Sequence, residues 1–364
     1  MRRRQFLRGG ALAALATPVA VAPAIAQTKP ELKWRLASSF GKSLDVMHGA
    51  VQVLCRYVAE ASDNRFVIQP FLAGELAPGA QALDAVSSGS VECAFTPLGY
   101  YAAKDPTLVF GSGVPFGLND RQQQAWWLFG GGKDIVNGAL QRLNAYAIPA
   151  GASGTQMGGW FRKELAAVDD LKGLRVRITG MGGPVLQRLG AVPYQMTHAD
   201  TLTALESGNL DAAEFICPHD DERLGFAKVA RFNYYPCWWE GSGMLHMAVN
   251  LEQWNALPKP YQAILARACD ASSGWMRAKY DSLNPPALRK LVAEGAILKP
   301  FPAAVLEACY KATGEHLSEI AGKSIPFKKA LDQLNGFRTD HLAWRQIAEQ
   351  AYDGFLIAAT RGKT

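Results

Sequence analysis

The sequence predicts an α/β protein of two lobes with a hinge-bending cleft between them and a helical C-terminal extension. Three observations carry this expectation. Short runs rich in β-branched and aromatic residues alternate with amphipathic helical stretches in two successive blocks, the pattern of largely parallel sheets covered by helices. The 364 residues exceed what one hydrophobic core usually holds. No low-complexity linker separates the two blocks, so the chain should cross between lobes on ordered segments, as in a hinge. The expected divisions are residues 1–26 as a leader, 27–150 as a first α/β lobe joined by later crossing segments, 151–250 as a second α/β lobe, and 251–364 as a mainly helical region packing on both.

The leader reads as a twin-arginine export signal. Arg3-Arg4-Gln5-Phe6-Leu7-Arg8 precede an apolar stretch from Gly9 to Ala24 that is too short and too interrupted by Pro18 and Pro23 for a membrane span. Ala24-Ile25-Ala26 supplies small residues for cleavage before Gln27. Loss of that segment removes Arg2, Arg3, Arg4 and Arg8 and no acidic residue, so most of the formal charge of +6 goes with it. The remaining lysines and arginines are interspersed with acids rather than gathered in a stripe, which excludes the footprint of a nucleic-acid binder. The six cysteines, Cys55, Cys93, Cys217, Cys237, Cys269 and Cys309, include no CxxC pair, which argues against a zinc knuckle or a thioredoxin-like motif. Cys55, Cys269 and Cys309 fall on apolar helix faces and read as small core residues. Cys217 and Cys237 lie in the segments nominated below for the site, where a disulfide between them is one possibility.

In the first block, Leu32 to Ser39 reads as a strand and is followed by a helix with Val46, Ala50, Val53, Leu54, Tyr57 and Val58 on one face. Phe66 to Phe71 reads as a second strand, Ala80 to Ser88 as a helix and Val91 to Phe95 as a third strand. The pattern restarts near Ala145. Strands are expected at Ala145 to Pro149, Gln156 to Arg162, Leu174 to Thr179, Val192 to Met196 and Leu210 to Ile216, with helices from Gly180-Gly183 and across Thr201 to Ser207. From Pro258 the chain reads as helical, with an extended return at Ala296 to Phe301. A final helix from Asp340 carries Trp344, Ile347, Ala348, Ala351 and Phe355 on one side.

No HExxH, G-x-S-x-G, Walker-type loop or strand-borne GxGxxG is present. Gly111-Ser112-Gly113 and Gly130-Gly131-Gly132 read as turns, and His198, His219 and His246 show no ligand spacing. Three constellations remain. In Leu174-Arg175-Val176-Arg177-Ile178 the apolar residues face a core, and Arg177 near the strand end is placed either to grip a carboxylate with two parallel hydrogen bonds or to form a strand salt bridge. Glu214 ends an apolar strand, and Glu240 follows Trp238-Trp239. Two such carboxylates brought together suit a hard cation, whereas each alone would pair with an arginine or an amide. Tyr100, Tyr101 and Gln156 fall near strand ends, where hydroxyl and amide groups orient ligands or serve as turn and core residues.

These segments, with Gln156-Met157-Gly158-Gly159-Trp160, Asp211-Ala212-Ala213-Glu214 and Tyr235-Pro236-Cys237-Trp238-Trp239-Glu240-Gly241, resemble the solute-binding receptors of TRAP (tripartite ATP-independent periplasmic) transporters, most nearly those for 2-oxo acids of the pyruvate type. The resemblance runs over nearly the whole chain after the leader, including Ala73-Gly74-Glu75, Lys104-Asp105-Pro106 and Trp254-Asn255-Ala256-Leu257-Pro258. It implies a periplasmic two-lobed binding protein, not an enzyme, that captures a small 2-oxo monocarboxylate with a bound cation, sodium or calcium, and delivers it to the membrane permease subunits. In that pattern Arg177 clamps the substrate carboxylate. Glu214, Glu240 and the backbone carbonyl of Phe215 match the cation ligands, and Gln156 matches a contact shared by substrate and cation. Tyr100, Tyr101 and Phe215 complete the expected substrate contacts. Phe215 stands where the subgroup has tryptophan and Cys217 where it has glycine, which changes the expected pocket shape. The resemblance also implies a homodimer that exchanges the C-terminal helix, a face that would equally suit packing within one chain. Other readings open to the sequence are a receptor for lactate or a longer hydroxy or oxo acid, a sensor partner of a membrane kinase, and a Tat-exported enzyme.

Overall fold

The computed structural model describes residues 30–196 and 198–360, so the leader and its cleavage site lie outside the described residues. Two sheets form the frame. In the first the neighbouring strands are, in order, β2 (Phe66–Phe71), β1 (Leu32–Ser38), β3 (Cys93–Thr96), β10 (Met244–Asn250) and β4 (Ala145–Ala152), and in the second β11 (Ile297–Pro300), β9 (Phe232–Tyr235), β5 (Trp160–Phe161), β8 (Ala212–Ala213), β6 (Arg175–Arg177) and β7 (Val192–Tyr194).

In the first sheet, β1 (Leu32–Ser38) lies between β2 (Phe66–Phe71) and β3 (Cys93–Thr96), parallel to both. The helix Asp45–Ala61 covers them with Val46, Ala50, Val53, Leu54 and Val58, the face expected from its periodicity. β4 (Ala145–Ala152) closes the sheet, and β10 (Met244–Asn250) inserts antiparallel between β3 and β4. The sheet is therefore mixed rather than parallel, and the chain from 244 to 250 belongs to this first sheet instead of the second lobe. All seven β10 residues are buried. A strand packed on both faces shows no alternation of apolar and polar residues, which is why periodicity does not reveal it.

The second sheet is built from shorter pieces: β5 (Trp160–Phe161), β6 (Arg175–Arg177), β7 (Val192–Tyr194), β8 (Ala212–Ala213), β9 (Phe232–Tyr235) and β11 (Ile297–Pro300). β5 and β8 are far shorter than the runs at 156–162 and 210–216 suggest. The chain leaves the sheet on the N-terminal side of β5 and the C-terminal side of β8. Gly159 (φ +89°) makes the first departure possible, because a Cβ there would meet the Ala213 carbonyl oxygen at 2.8 Å. The freed residues, 153–159 and 214–217, become walls of the cleft.

The helix Lys259–Ala293 braces both lobes. Toward the first, Ser272 Oγ donates to the Ala50 carbonyl at 2.8 Å, and Trp275 crosses so near Gly49 that a Cβ there would lie 2.6 Å from its ring. Toward the second, Tyr280 Oη donates to Asp220 Oδ2 at 2.9 Å and Lys290 pairs with Glu222. The helix Ile325–Arg345 buries Phe327, Ala330, Leu331 and Leu334 and then runs clear of the body through a π turn at Gln346–Gln350 into the helix Ala351–Thr360. The apolar stripe expected after Asp340 is uncovered: Trp344 is 60 %, Ile347 75 % and Phe355 70 % exposed.

At the centre of the first sheet, His246 is fully buried against Trp127, with ring centroids 4.8 Å apart, and neither ring nitrogen has a hydrogen-bond partner among the described residues. Burial holds its pKa down at about 3. A histidine whose folded pKa lies below its unfolded value of about 6.5 stabilises the protein above that pH, and the contribution is lost as pH falls toward 3. Between pH 6.5 and 4.5 the loss should be about 2.7 kcal/mol, at about 1.36 kcal/mol per pH unit. Urea unfolding of wild type and His246→Phe at both pH values should show the variant less acid-sensitive by roughly that amount. Identical acid sensitivity in the two proteins would mean that His246 titrates normally.

Candidate functional site

A cavity of about 70 Å³ lies between the sheets, where the C-terminal ends of β1, β3, β6 and β8 face one another. The first lobe contributes Phe40, Met47, Tyr100 and Leu245, and the second contributes Arg177, Thr179, Glu214 and Ile216. Ser153 and Gln156 stand on one segment that crosses between the sheets, and Glu240 and Gly243 on the other.

Arg177 is the last residue of β6, held in register by Tyr194 on β7 and Ala213 on β8. Its side chain is 4 % exposed. One terminal nitrogen donates to the Glu214 carbonyl at 3.1 Å and pairs with Glu214 Oε1. Thr179 donates to the same carboxylate oxygen from its backbone N–H at 3.1 Å and its hydroxyl at 2.8 Å. Arg177 Nε is buried without a partner among the described residues. The guanidinium is therefore fixed on one edge and retains an unsatisfied donor, the condition in which it accepts a ligand carboxylate. Arg175, two residues earlier, is committed elsewhere: it forks Asp211 at 2.8 and 2.7 Å on the half-exposed side.

Glu240 is carried by a segment anchored through its aromatics. Trp238 and Trp239 are buried edge to face at 5.3 Å, and Phe116 stacks on Trp238 at 5.5 Å while its N–H donates to the Trp238 carbonyl at 2.7 Å. Gln156 Nε2 donates to Glu240 Oε2 at 3.1 Å. Burial, and secondarily the negative charge of Glu214, push Glu240 up to about 8, against the pull of the Gln156 hydrogen bond. Tyr100 lines the same cavity, and burial pushes its hydroxyl up to about 12.

The fold thus brings together Arg177, Glu214, Glu240, Gln156 and Tyr100. Tyr101 points away: its hydroxyl lies 2.8 Å from Thr96 Oγ1 and accepts from Leu83 N–H at 3.1 Å inside the first core. The Phe215 side chain is also turned inward, packed on Phe226 with centroids 4.7 Å apart, and is not among the residues lining the cavity. Its exchange for a larger ring would act on that core rather than directly on a ligand. Cys217 and Cys237 are free thiols rather than a disulfide, with Cys217 Sγ directed at the Ser153 carbonyl at 3.6 Å. His219 contacts Asp45 at 3.0 Å, and the side chain of His198 lies outside the described residues.

Periodicity gives no sign of the apolar wall of Phe40, Met47, Ile216 and Leu245, or of the glycines that make room for the charges. Gly113, in a stretch that reads as turn material, lets Glu240 approach: a Cβ there would sit 3.0 Å from Glu240 Cγ. Among the described residues no group of three or more His, Cys, Asp and Glu side chains could hold a metal. A cation here would need amide, backbone or ligand oxygens beside the two carboxylates, an all-oxygen set suited to a hard ion.

Residues 37–324 match the family model for bacterial extracellular solute-binding proteins, family 7 (DctP). The chain belongs to that family. It is 42 % identical over 367 residues, covering 99 % of this chain and all of the relative, to a monocarboxylate 2-oxoacid-binding periplasmic protein of Nostoc sp.. It is similar to a TRAP transporter solute-binding protein of Bordetella bronchiseptica solved with calcium and picolinate (TM-score 0.90, 43 % identity, 92 % of this chain and 100 % of that one). A TRAP periplasmic solute-binding protein of Pseudoalteromonas atlantica solved with sodium and pyruvate gives a TM-score of 0.85 at 34 % identity, over 89 % and 98 % of the two chains. The protein is thus a periplasmic solute receptor of a TRAP transporter, in a family of binding proteins rather than enzymes. Among the described residues no helix is long and apolar enough to cross a membrane.

Gly243 tests the geometry. A Cβ at this position would lie 2.8 Å from Gln156 Nε2 and 3.3 Å from Glu240 Oε2. Gly243→Ala should displace that pair and weaken ligand binding by roughly tenfold or more, taking about 1–3 kcal/mol for an overpacked contact. Calorimetric titration would read the loss, and unchanged affinity would show that the pair is not needed where it stands.

Proposed function

We propose that the receptor binds a small 2-oxo monocarboxylate together with a hard cation, sodium or calcium, performs no covalent chemistry on it, and hands it to the TRAP membrane permease. The observation that carries this reading is the meeting of Arg177, with its buried unpartnered Nε, and the carboxylates of Glu214 and Glu240 at one cavity. Two acids and one guanidinium leave no excess positive charge to attract an anion. A bound cation resolves the conflict by compensating the glutamates and offering the ligand a second positive partner. Glu214, Glu240, Gln156 and the carbonyl of Phe215 would hold it, and when bound it supplies Lewis-acidic attraction for ligand oxygens.

The relatives support the class of ligand. Pyruvate and picolinate share little beyond a carboxylate with an electron-pair donor on the adjacent carbon's substituent or ring, a pair that chelates one cation. For this receptor the Arg177 guanidinium would take the carboxylate and the cation would take the 2-oxo oxygen. Among the described residues Arg177 is the one cationic side chain lining the cavity, and Phe40, Met47, Ile216 and Leu245 form its apolar wall. A second carboxylate on the ligand would be buried there without a partner, so dicarboxylates should be rejected. The uncovered stripe of Trp344, Ile347 and Phe355 further supports a homodimer through the C-terminal helix, since an apolar face of that size on a soluble chain marks an interaction surface.

Calorimetric titration with pyruvate, 2-oxobutyrate, lactate, succinate and 2-oxoglutarate, with and without sodium or calcium, tests the ligand reading. Cation-dependent binding of the monocarboxylates and none of the dicarboxylates is expected, and failure of every small carboxylate to bind would sink it. Arg177→Ala should abolish binding, whereas Arg177→Lys should retain part of it, because an ammonium keeps the charge and loses the fork. In sedimentation equilibrium the full chain should run as a dimer and a chain ending after Arg345 as a monomer that still binds ligand. A dimeric truncated chain would place the interface elsewhere.

A further inference from the structure

We infer that Ser153 is a positioning residue of the binding site, which fixes the Gln156 amide so that its oxygen, and not its nitrogen, faces the ligand and cation. The inference rests on the proposed reading that Gln156 contacts them. Ser153 is 2 % exposed and stands just beyond β4, where the chain leaves the first sheet. Its hydroxyl has one proton to give and two lone pairs to receive. All three are used. The hydroxyl donates to the Gly154 carbonyl at 3.0 Å, and it accepts from Gly243 N–H at 2.9 Å and from Gln156 Nε2 at 2.9 Å.

That saturation has a directional consequence. With its proton spent on Gly154, Ser153 can only accept from Gln156, so the amide nitrogen must turn toward it. The second proton of the same nitrogen goes to Glu240 Oε2 at 3.1 Å. The Ser153 oxygen, its own proton spent on Gly154, demands N–H from the amide, and Glu240 Oε2 accepts the other amide proton. A flipped amide would set its oxygen against the lone pairs of Ser153, so the carbonyl oxygen of this cavity-lining glutamine is left for the cavity. A carbonyl oxygen offers a hard cation a lone pair, and an amide N–H does not.

The same residue ties the two crossing segments together. Ser153 N–H donates to the Gly243 carbonyl at 3.0 Å and receives the return bond from Gly243 N–H through its side chain. Gln156 and Glu240, one on each crossing, are therefore held at a distance set by the Ser153–Gly243 pair. A glycine is required opposite, since a Cβ on residue 243 would come within 3.2 Å of the Ser153 hydroxyl.

A double-mutant cycle tests the proposal. Pyruvate would be titrated calorimetrically at saturating calcium into wild type, Ser153→Ala, Gln156→Ala and the double variant, with melting temperatures recorded for each. Loss of the hydroxyl should weaken binding roughly tenfold in the wild-type background and by less than about twofold when Gln156 is already absent. In ligand-free protein the Gln156 side-chain amide protons, followed by nitrogen-15 NMR, should be protected in wild type and exchange rapidly in Ser153→Ala. An equal loss of affinity in both backgrounds would assign Ser153 a purely structural role. Unchanged amide exchange in the single variant would likewise overturn the proposal. Should wild type bind no acid with any cation, the ligand reading falls, and the exchange measurement still decides whether Ser153 sets the amide.

Discussion

The contact between Arg177 and Glu214 is the interaction around which the rest of the molecule is arranged. Both side chains are nearly inaccessible, at 4 % and 7 % exposure, and a buried pair of this kind is stable only when every remaining donor and acceptor finds a partner. Thr179 supplies two donors to the carboxylate from the turn after β6, and the Glu214 carbonyl supplies an acceptor to the guanidinium. Those partners are available only because β6 and β8 run parallel and end together, with Arg177 level with Ala213. Within this cluster the guanidinium Nε is the buried donor left without a partner among the described residues.

Glu240 shows how the second charge is accommodated. It arrives from the other crossing segment and meets a glutamine instead of a cation, so burial works against its ionised form. On the proposed reading a cation entering beside Glu240 would displace a proton held there, which would link its occupancy to pH in the direction common to carboxylate ligands. Close packing around it is bought with side-chain volume elsewhere: Gly113 and Gly243 each leave room that a methyl group would fill. The aromatic anchors Trp238 and Phe116 then keep a short, strongly bent segment from relaxing away from the charges.

The sequence made the first lobe legible because its strands and helices obey their own periods. The helix at Asp45–Ala61 buries the face its pattern specifies, and β1, β2 and β3 fall where β-branched and aromatic runs place them. Within the site, Arg177, Glu214 and Glu240 were visible as charges in apolar settings, a local anomaly that demands a partner. β10 was not visible, since a strand buried on both faces has no alternation, and neither was its membership of the first sheet, which depends on a crossing 83 residues after Phe161. Tyr101 and Phe215 were misplaced for a related reason. Tyr100 and Tyr101 share the 3-10 turn Leu98–Tyr101, where successive side chains point about 120° apart, and Glu214 and Phe215 follow the end of β8, where neighbours point to opposite faces, so only the register decides which residue meets the cavity. Ser153 carried no signal at all, because a serine beside a glycine reads as a turn until its three hydrogen bonds are seen.

The division of labour between the lobes also bears on selectivity. The charged groups Arg177 and Glu214 come from the second lobe, while Phe40, Met47 and Leu245 come from the first, so neither lobe alone lines the whole cavity. On the proposed reading an acid would meet the charged groups of the second lobe with its head and the apolar groups of the first with its tail. Each additional methylene then contributes at most about 0.8 kcal/mol, a factor of roughly four in affinity. Removal of a group that the buried guanidinium or cation expects leaves charge uncompensated and costs several times more. A site so built would discriminate steeply at the head of the ligand and gently along its tail, up to the length that the small cavity holds.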